Sequence, residues 1–302
     1  MPSTRYLAFL NALKGDLVDA SDPLDVARAR LEAMHGHPVR ADTHVEWNAD
    51  GTVRTAWVIA DEAKSSSRVL LLCHGGAFIA AGGDGYLFYA EMLSKYCGAR
   101  VLLVDYRLAP AHRFPAAVDD CVDACRALIA AGTAASRIAV IGDSCGGGIA
   151  LATLLRLRDS HIPLPACAIT LGGWFDLEAG GQAAGPSPAR DPFAHPDFIR
   201  ARGRDYLGPG GDPRHPLASP IHADPTGLPP LLLQVGQVDL TRDDAHRLAR
   251  KAALAGVDVT LEIHPAMIHG FQGLASAGIP EGIDALRRVG DFIARWIPAV
   301  DA

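Results

Sequence analysis

The chain has 302 residues, 49% hydrophobic and 21% charged, which is enough apolar material to bury a large core and too much for a disordered chain. Its 28 Lys and Arg against 34 Asp and Glu leave a net charge of −6, so no basic excess exists to hold a nucleic-acid backbone. The apolar runs are strand-length and the start lacks a cleavage signature, so neither a membrane span nor a secretory signal is expected.

Two helices are predicted to open the chain. The second is marked by Asp22 as cap, Pro23 at the first helical position, the stripe Val26, Ala27, Leu31 and Met34, and Gly36 as stop. Strand-like runs follow at Thr43 to Trp47 and Thr52 to Ile59, joined through Asp50-Gly51, a strong short-hairpin dipeptide. From Arg68 the pattern changes to wholly apolar runs at Val69 to Cys73, Val101 to Val104, Ile138 to Ile141, Cys167 to Leu171, Leu231 to Val235 and Val257 to Ile263. Amphipathic stretches separate them, including Ala116 to Ala131, Ile149 to Asp159 and Asp243 to Ala255, and Gly282 to Trp296 closes the chain. Continuous apolar strands alternating with helices predict an α/β fold: a mostly parallel sheet of about eight strands, helices on both faces, and antiparallel strands at one edge.

One stretch breaks the alternation. Residues 180–224 are rich in Gly, Pro, Arg, His and Asp, with a predicted helix over Pro196 to Tyr206. So long a segment between strands reads as a functional insertion, such as a lid, or as a disordered linker. With residues 1–40 it is expected to form a helical cap over a catalytic domain of residues 41–302. Cys73, Cys97, Cys121, Cys125, Cys145 and Cys167 show no C-x-x-C pairing and sit mostly in apolar runs. They read as buried free thiols of a reducing, cytoplasmic compartment, with no metal site.

Gly142-Asp143-Ser144-Cys145-Gly146 matches G-x-S-x-G between an apolar run and a helical one. A nucleophile on a sharp strand-to-helix turn needs small flanking residues, and the helix N-terminus favours a developing anion. The same glycines fit an ordinary turn or a phosphate loop, but the P-loop ending and the G-x-G-x-x-G spacing are lacking. A serine needs a base and the base an orienting carboxylate, and on this architecture they follow in the order Ser, acid, His. His269, in the loop after the last strand, is preferred as base over His264, which belongs to the strand end. Asp239, just past the strand Leu231 to Val235, is the candidate acid, and Asp243 and Asp244 fit the helix-capping role better. Gly75, Gly76 and Ala77, after the strand Val69 to Cys73, and the N–H of Cys145 are the candidate oxyanion donors. Trp174, Phe198 and Ile268, with Met267, are candidates for an apolar pocket wall.

These residues resemble the hormone-sensitive-lipase-like group of alpha/beta-hydrolases, the bacterial HGG esterases. The matching blocks are His74-Gly75-Gly76, Asp105-Tyr106-Arg107-Leu108-Ala109-Pro110, Gly142 to Gly147, Leu228-Pro229-Pro230 leading to Asp239, and His269-Gly270-Phe271. The resemblance implies carboxylesterase activity on short to medium acyl chains, no cofactor, and often a homodimer through the last strand. Departures are Ala77 for the third loop glycine, Cys145 for the usual Ala, Ala111 for the usual acid after the Tyr-Arg block, which leaves the partner of Arg107 open, and Val238-Asp239-Leu240 for the usual Asp-Pro. Cys145, at a helix N-terminus beside the nucleophile, is either an acidified thiol or a small buried side chain. The expected function is ester hydrolysis through Ser144, His269 and Asp239. A lactonase or amidase with the same machinery is the alternative. A non-catalytic small-molecule receptor on the same scaffold is the reading from another class, and the retained histidine speaks against it.

Overall fold

A computed structural model describes residues 1–13, 15, 17–49, 51–181, 191–193 and 195–299. Its eight strands are β1 (His44–Asn48), β2 (Thr55–Ile59), β3 (Val69–Cys73), β4 (Arg100–Val104), β5 (Ile138–Asp143), β6 (Cys167–Leu171), β7 (Leu231–Gly236) and β8 (Val259–His264). They form one sheet in the order β1-β2-β4-β3-β5-β6-β7-β8. β1 and β2 pair antiparallel, as do β2 and β4, and the remaining pairs are parallel.

The uninterrupted apolar runs have a physical cause in the two buried faces. Along β3, Val69, Leu71 and Cys73 pack into one core while Leu70 and Leu72 pack into the other. The first core is covered by α4 (Ala116–Ala130), α5 (Cys145–Asp159) and α7 (Arg242–Leu254), the second by α3 (Leu87–Cys97) and α8 (Pro280–Trp296). Residues of α2 (Leu24–Ala33) and α6 (Pro196–Leu207) join the first core, so N-terminal segment and insertion meet on the same side of the sheet. α1 (Thr4–Ala12) instead inserts Tyr6 into a small third cluster with Met267, Phe271, Ile279 and Ala285.

Several local expectations change. Pro23, not Asp22, occupies the N-cap of α2, and Asp22 pairs with Arg30 at 3.0 Å. In the expected stripe Ala27 and Leu31 are buried, but Val26 is exposed. The β1–β2 connection spans residues 49–54, longer than a two-residue turn, and Asp50 lies outside the described residues. α5 begins at Cys145, directly after the candidate nucleophile. β8 begins at Val259, not Val257. Of the expected insertion, residues 182–190 and 194 lie outside the described residues. Among the described residues no helix is long and apolar enough to cross a membrane.

Candidate active site

The turn between β5 and α5 is built by steric exclusion. Ser144 has φ +53° and ψ −125°, a conformation a non-glycine residue adopts only when its surroundings enforce it. A Cβ on Gly142 would lie 2.1 Å from the Gly146 carbonyl oxygen, and one on Gly146 would lie 2.1 Å from that of Cys73. Those contacts leave no room for any other residue beside the serine.

Two loops bring the remaining groups to it. Asp239 follows β7, where its Oδ1 accepts the Thr241 N–H at 2.8 Å and the Thr241 hydroxyl at 2.9 Å. This leaves Oδ2 free for His269 Nδ1 at 2.9 Å, while His269 Nε2 lies 2.9 Å from Ser144 Oγ. Asp239 thus shapes the start of α7 and orients the imidazole with different oxygens. Asp243 and Asp244, expected to cap, lie inside the first turn of α7, and Thr241 is the cap residue. His264 stays at the end of β8, 3.5 Å from Glu262. Gly172 lets the pair close up, since a Cβ there would sit 3.0 Å from both Asp239 Oδ2 and His269 Nδ1.

All three side chains are buried. Burial works against the charged imidazolium, but the carboxylates of Asp239, Asp191 and Asp143 outweigh it and raise His269 from 6.5 to about 9. The histidine loop is held from α1, where the Tyr6 hydroxyl donates to the Ala266 carbonyl at 3.0 Å and accepts the Ile268 N–H at 3.1 Å.

The loop after β3 lies on the opposite side of the serine. Gly76 has φ +101°, and a Cβ there would lie 2.2 Å from the Ala80 carbonyl oxygen. Arg28 of α2 clasps the loop through the carbonyls of Ile79 at 2.8 Å and Ala109 at 2.6 Å. His74 stacks on Tyr106 at 4.0 Å, and burial lowers its pKa to about 4, so it is neutral. Cys145 is fully buried, and burial pushes its thiol up to about 12, which overturns the reading of an acidified, reactive cysteine. Its sulfur instead accepts the Phe78 N–H at 3.2 Å. Gly75 borders the serine turn, where a Cβ on it would meet Asp143 at 2.8 Å.

Of the expected pocket residues, Trp174 donates its main-chain N–H to the Ser144 carbonyl at 3.0 Å, and its ring meets Phe78 and Phe198 edge-on. Ile268 is buried in the histidine loop, and Met267 packs with Tyr6 instead. The sequence reading missed three groups. Asp143 accepts hydrogen bonds from the hydroxyls of Tyr86 at 2.6 Å and Tyr89 at 3.3 Å. Asp120 receives Arg107 in a bidentate pair at 2.7 and 3.0 Å, filling the role that Ala111 leaves open. Asp191 accepts the N–H of His269 at 3.0 Å. For a cation, Asp176, Glu178 and His222 bring ligand atoms within 4.8 Å of one another, but Asp176 already accepts from Arg247.

An elbow serine, a histidine and a carboxylate stand in hydrogen-bonded line, with both links at 2.9 Å, the arrangement that nucleophilic chemistry at a serine requires. The family model for the alpha/beta hydrolase fold matches residues 70–273. The chain belongs to the alpha/beta-hydrolase family, in its hormone-sensitive-lipase branch. An acetyl-hydrolase of Streptomyces hygroscopicus is 40% identical over 231 residues, covering 76% of this chain and 77% of that protein. The esterase LipU of Mycobacterium tuberculosis is 34% identical over 272 residues, 88% of this chain and 90% of its own. A crystallised esterase from the bacterial hormone-sensitive lipase family superposes with a TM-score of 0.89 at 37% identity, covering 98% of this alpha/beta-hydrolase and all of that chain.

Proposed function

We propose that this alpha/beta-hydrolase is a serine carboxylesterase acting on short to medium acyl chains. The observation that carries the reading is the unbroken line from Ser144 Oγ through His269 to Asp239, with both links at 2.9 Å. As Ser144 attacks the ester carbonyl, its proton passes to His269 Nε2, and Asp239 stabilises the imidazolium at Nδ1. The tetrahedral oxyanion forms against the N–H groups of Gly76, Ala77 and Cys145, with that of Gly75 beside them and Cys145 at the start of α5. His269 then returns the proton to the leaving alcohol, and a water activated by the same histidine releases the acid from Ser144.

Ser144→Ala is expected to abolish hydrolysis of p-nitrophenyl acetate at unchanged Tm, and a fluorophosphonate is expected to label the parent at Ser144 alone. Retained turnover in the variant would reject the assignment. Lactones and amides engage the same groups, so a substrate series separates those activities from ester hydrolysis.

The remaining organisation follows from this reading. The described parts of residues 1–40 and 180–224 belong to the cap, supported by the joining of α2 and α6 to the first core. Trp174 and Phe198 wall the acyl site, with Ile268 beside the base. β8 ends the sheet with β7 alone beside it, so a second copy is the partner its open edge fits; a monomeric mass by light scattering would oppose this. Six free, buried thiols support residence in a reducing cytoplasm.

A further inference from the structure

The insertion carries a carboxylate that the ester chemistry above does not use. Asp191 is buried, at 8% exposure. Its Oδ2 accepts the N–H of His269 at 3.0 Å, and its Oδ1 accepts that of Phe193 at 3.0 Å. The adjoining Pro192 carbonyl accepts the N–H of Leu17 at 3.0 Å, so this short segment lies between the N-terminal part of the chain and the histidine loop.

Other anchors of that loop grip residues before the histidine. Tyr6 holds Ala266 and Ile268, the Gln237 side chain accepts the Ala266 N–H at 2.9 Å, and Val238 donates to the Met267 carbonyl at 3.0 Å. Among the described residues, the hydrogen bond to the main chain of His269 itself comes from Asp191. The insertion therefore reaches the base directly, through an acceptor that carries charge.

We propose that Asp191 is a positioning residue for the hydrolysis: the insertion lends it to His269, whose main chain it fixes and beside whose imidazolium it sets a second carboxylate. The proposal rests on the Ser144–His269–Asp239 reading. Its electrostatic side agrees with the surroundings. Asp191 is faced by His269, by Asp239 from the loop after β7, and by Tyr6 from α1. Burial, with the negative charge of Asp239 added, lifts its carboxyl to about 7, against the pull of His269. On His269, Asp191 acts with Asp239 and with Asp143 from β5 to favour the protonated ring. A seated insertion thus makes the base stronger when the serine proton must be taken.

The test is kcat and KM for p-nitrophenyl acetate across pH in Asp191→Ala and Asp191→Asn, with Tm alongside. Asp191→Asn keeps the shape and one acceptor but not the charge, and it carries the test if the alanine variant fails to fold. The expected result is a kcat loss of about tenfold with little change in KM, and an acid limb displaced to lower pH by roughly one unit, because a charge favouring the imidazolium is gone. A rate loss with the acid limb unmoved would reduce Asp191 to a structural tether and overturn the proposal, as would parental kinetics in both variants. Ser144→Ala separates the two levels. If it is inactive while the Asp191 variants behave as the parent, only this inference fails. If Ser144→Ala turns over, the underlying reading fails instead.

Discussion

Gly75→Ala is the most informative small change at the site. Its new Cβ would lie 2.3 Å from the Tyr86 hydroxyl oxygen and 2.8 Å from Asp143 Oδ2. Ordinary contacts of this kind need well over 3 Å, so either the loop or the ring must shift by about 1 Å. The ring has no room to move: Tyr86 is buried, stacked on His35 at 4.9 Å and packed against His74 at 5.4 Å, and its hydroxyl is bonded to Asp143 at 2.6 Å. The loop must therefore give way, taking the Gly75 and Gly76 N–H groups from the oxyanion position. A displacement of about 1 Å costs about 10²-fold, and loss of one oxyanion donor costs about 10²–10³-fold in kcat, or about 2.7–4 kcal/mol. Overpacking adds about 1–3 kcal/mol of destabilisation, read as a Tm lowered by a few degrees. The assay is kcat on p-nitrophenyl acetate with Tm measured in parallel, and Gly51→Ala is the control because its Cβ would meet nothing nearer than 3.6 Å. A Gly75→Ala protein with parental kcat would refute both the crowding argument and the role given to this loop.

Asp239→Asn is expected to cut kcat on the order of 10⁴-fold, because an amide offers Nδ1 no carboxylate and favours the wrong tautomer; activity near the parent's would show that another carboxylate is the acid. Cys145→Ala removes the acceptor of the Phe78 N–H and should cost about 1–3 kcal/mol of stability. Because the thiol is buried and poorly acidic, iodoacetamide should leave the folded parent active, and rapid inactivation that Cys145→Ala prevents would contradict the burial. Asp244 is raised from 3.8 to about 7, chiefly by burial and then by Asp176, so between those values the folded state holds a proton that the unfolded chain releases. Stability then falls as pH rises through that window, and Asp244→Asn should gain about 1–2 kcal/mol at pH above 7, an advantage that vanishes below pH 3.8. A denaturant titration series across pH checks the sign, and a variant weaker than the parent at high pH would refute it.

The sheet was readable because burial on both faces turns each central strand into an apolar run with sharp ends, as at Val69–Cys73 and Cys167–Leu171. The convergence of Ser144, His269 and Asp239 was readable from chain order, since each follows a strand that could be recognised. α3 escaped notice because it is buried on several sides, with Phe88, Tyr89, Ala90, Glu91, Leu93 and Cys97 all inside, so no polar stripe marks a period. Gly98, at φ +59°, was the available stop signal. Partners distant in sequence left no local trace: Asp191 meets a residue 78 positions on, within a stretch that lacks periodicity. Asp120 is only 13 positions from Arg107, yet its pairing depends on where α4 packs. Cys145 reads alike as a reactive thiol or as packing until its surroundings are known, because acidity depends on solvent access that residue identity does not encode.

The grip of Tyr6 on the histidine loop also sets an order of events during synthesis. Tyr6 leaves the ribosome 260 residues before the Ala266 carbonyl it donates to, and Ser144 leaves 125 residues before its base. At about 5–20 residues per second, the first helix waits on the order of tens of seconds for its partner. A growing chain that already displays Ser144 therefore lacks the imidazole that faces it in the folded protein. The hydrogen-bonded line from Ser144 through His269 to Asp239 closes only when the last strand and its following loop have been translated.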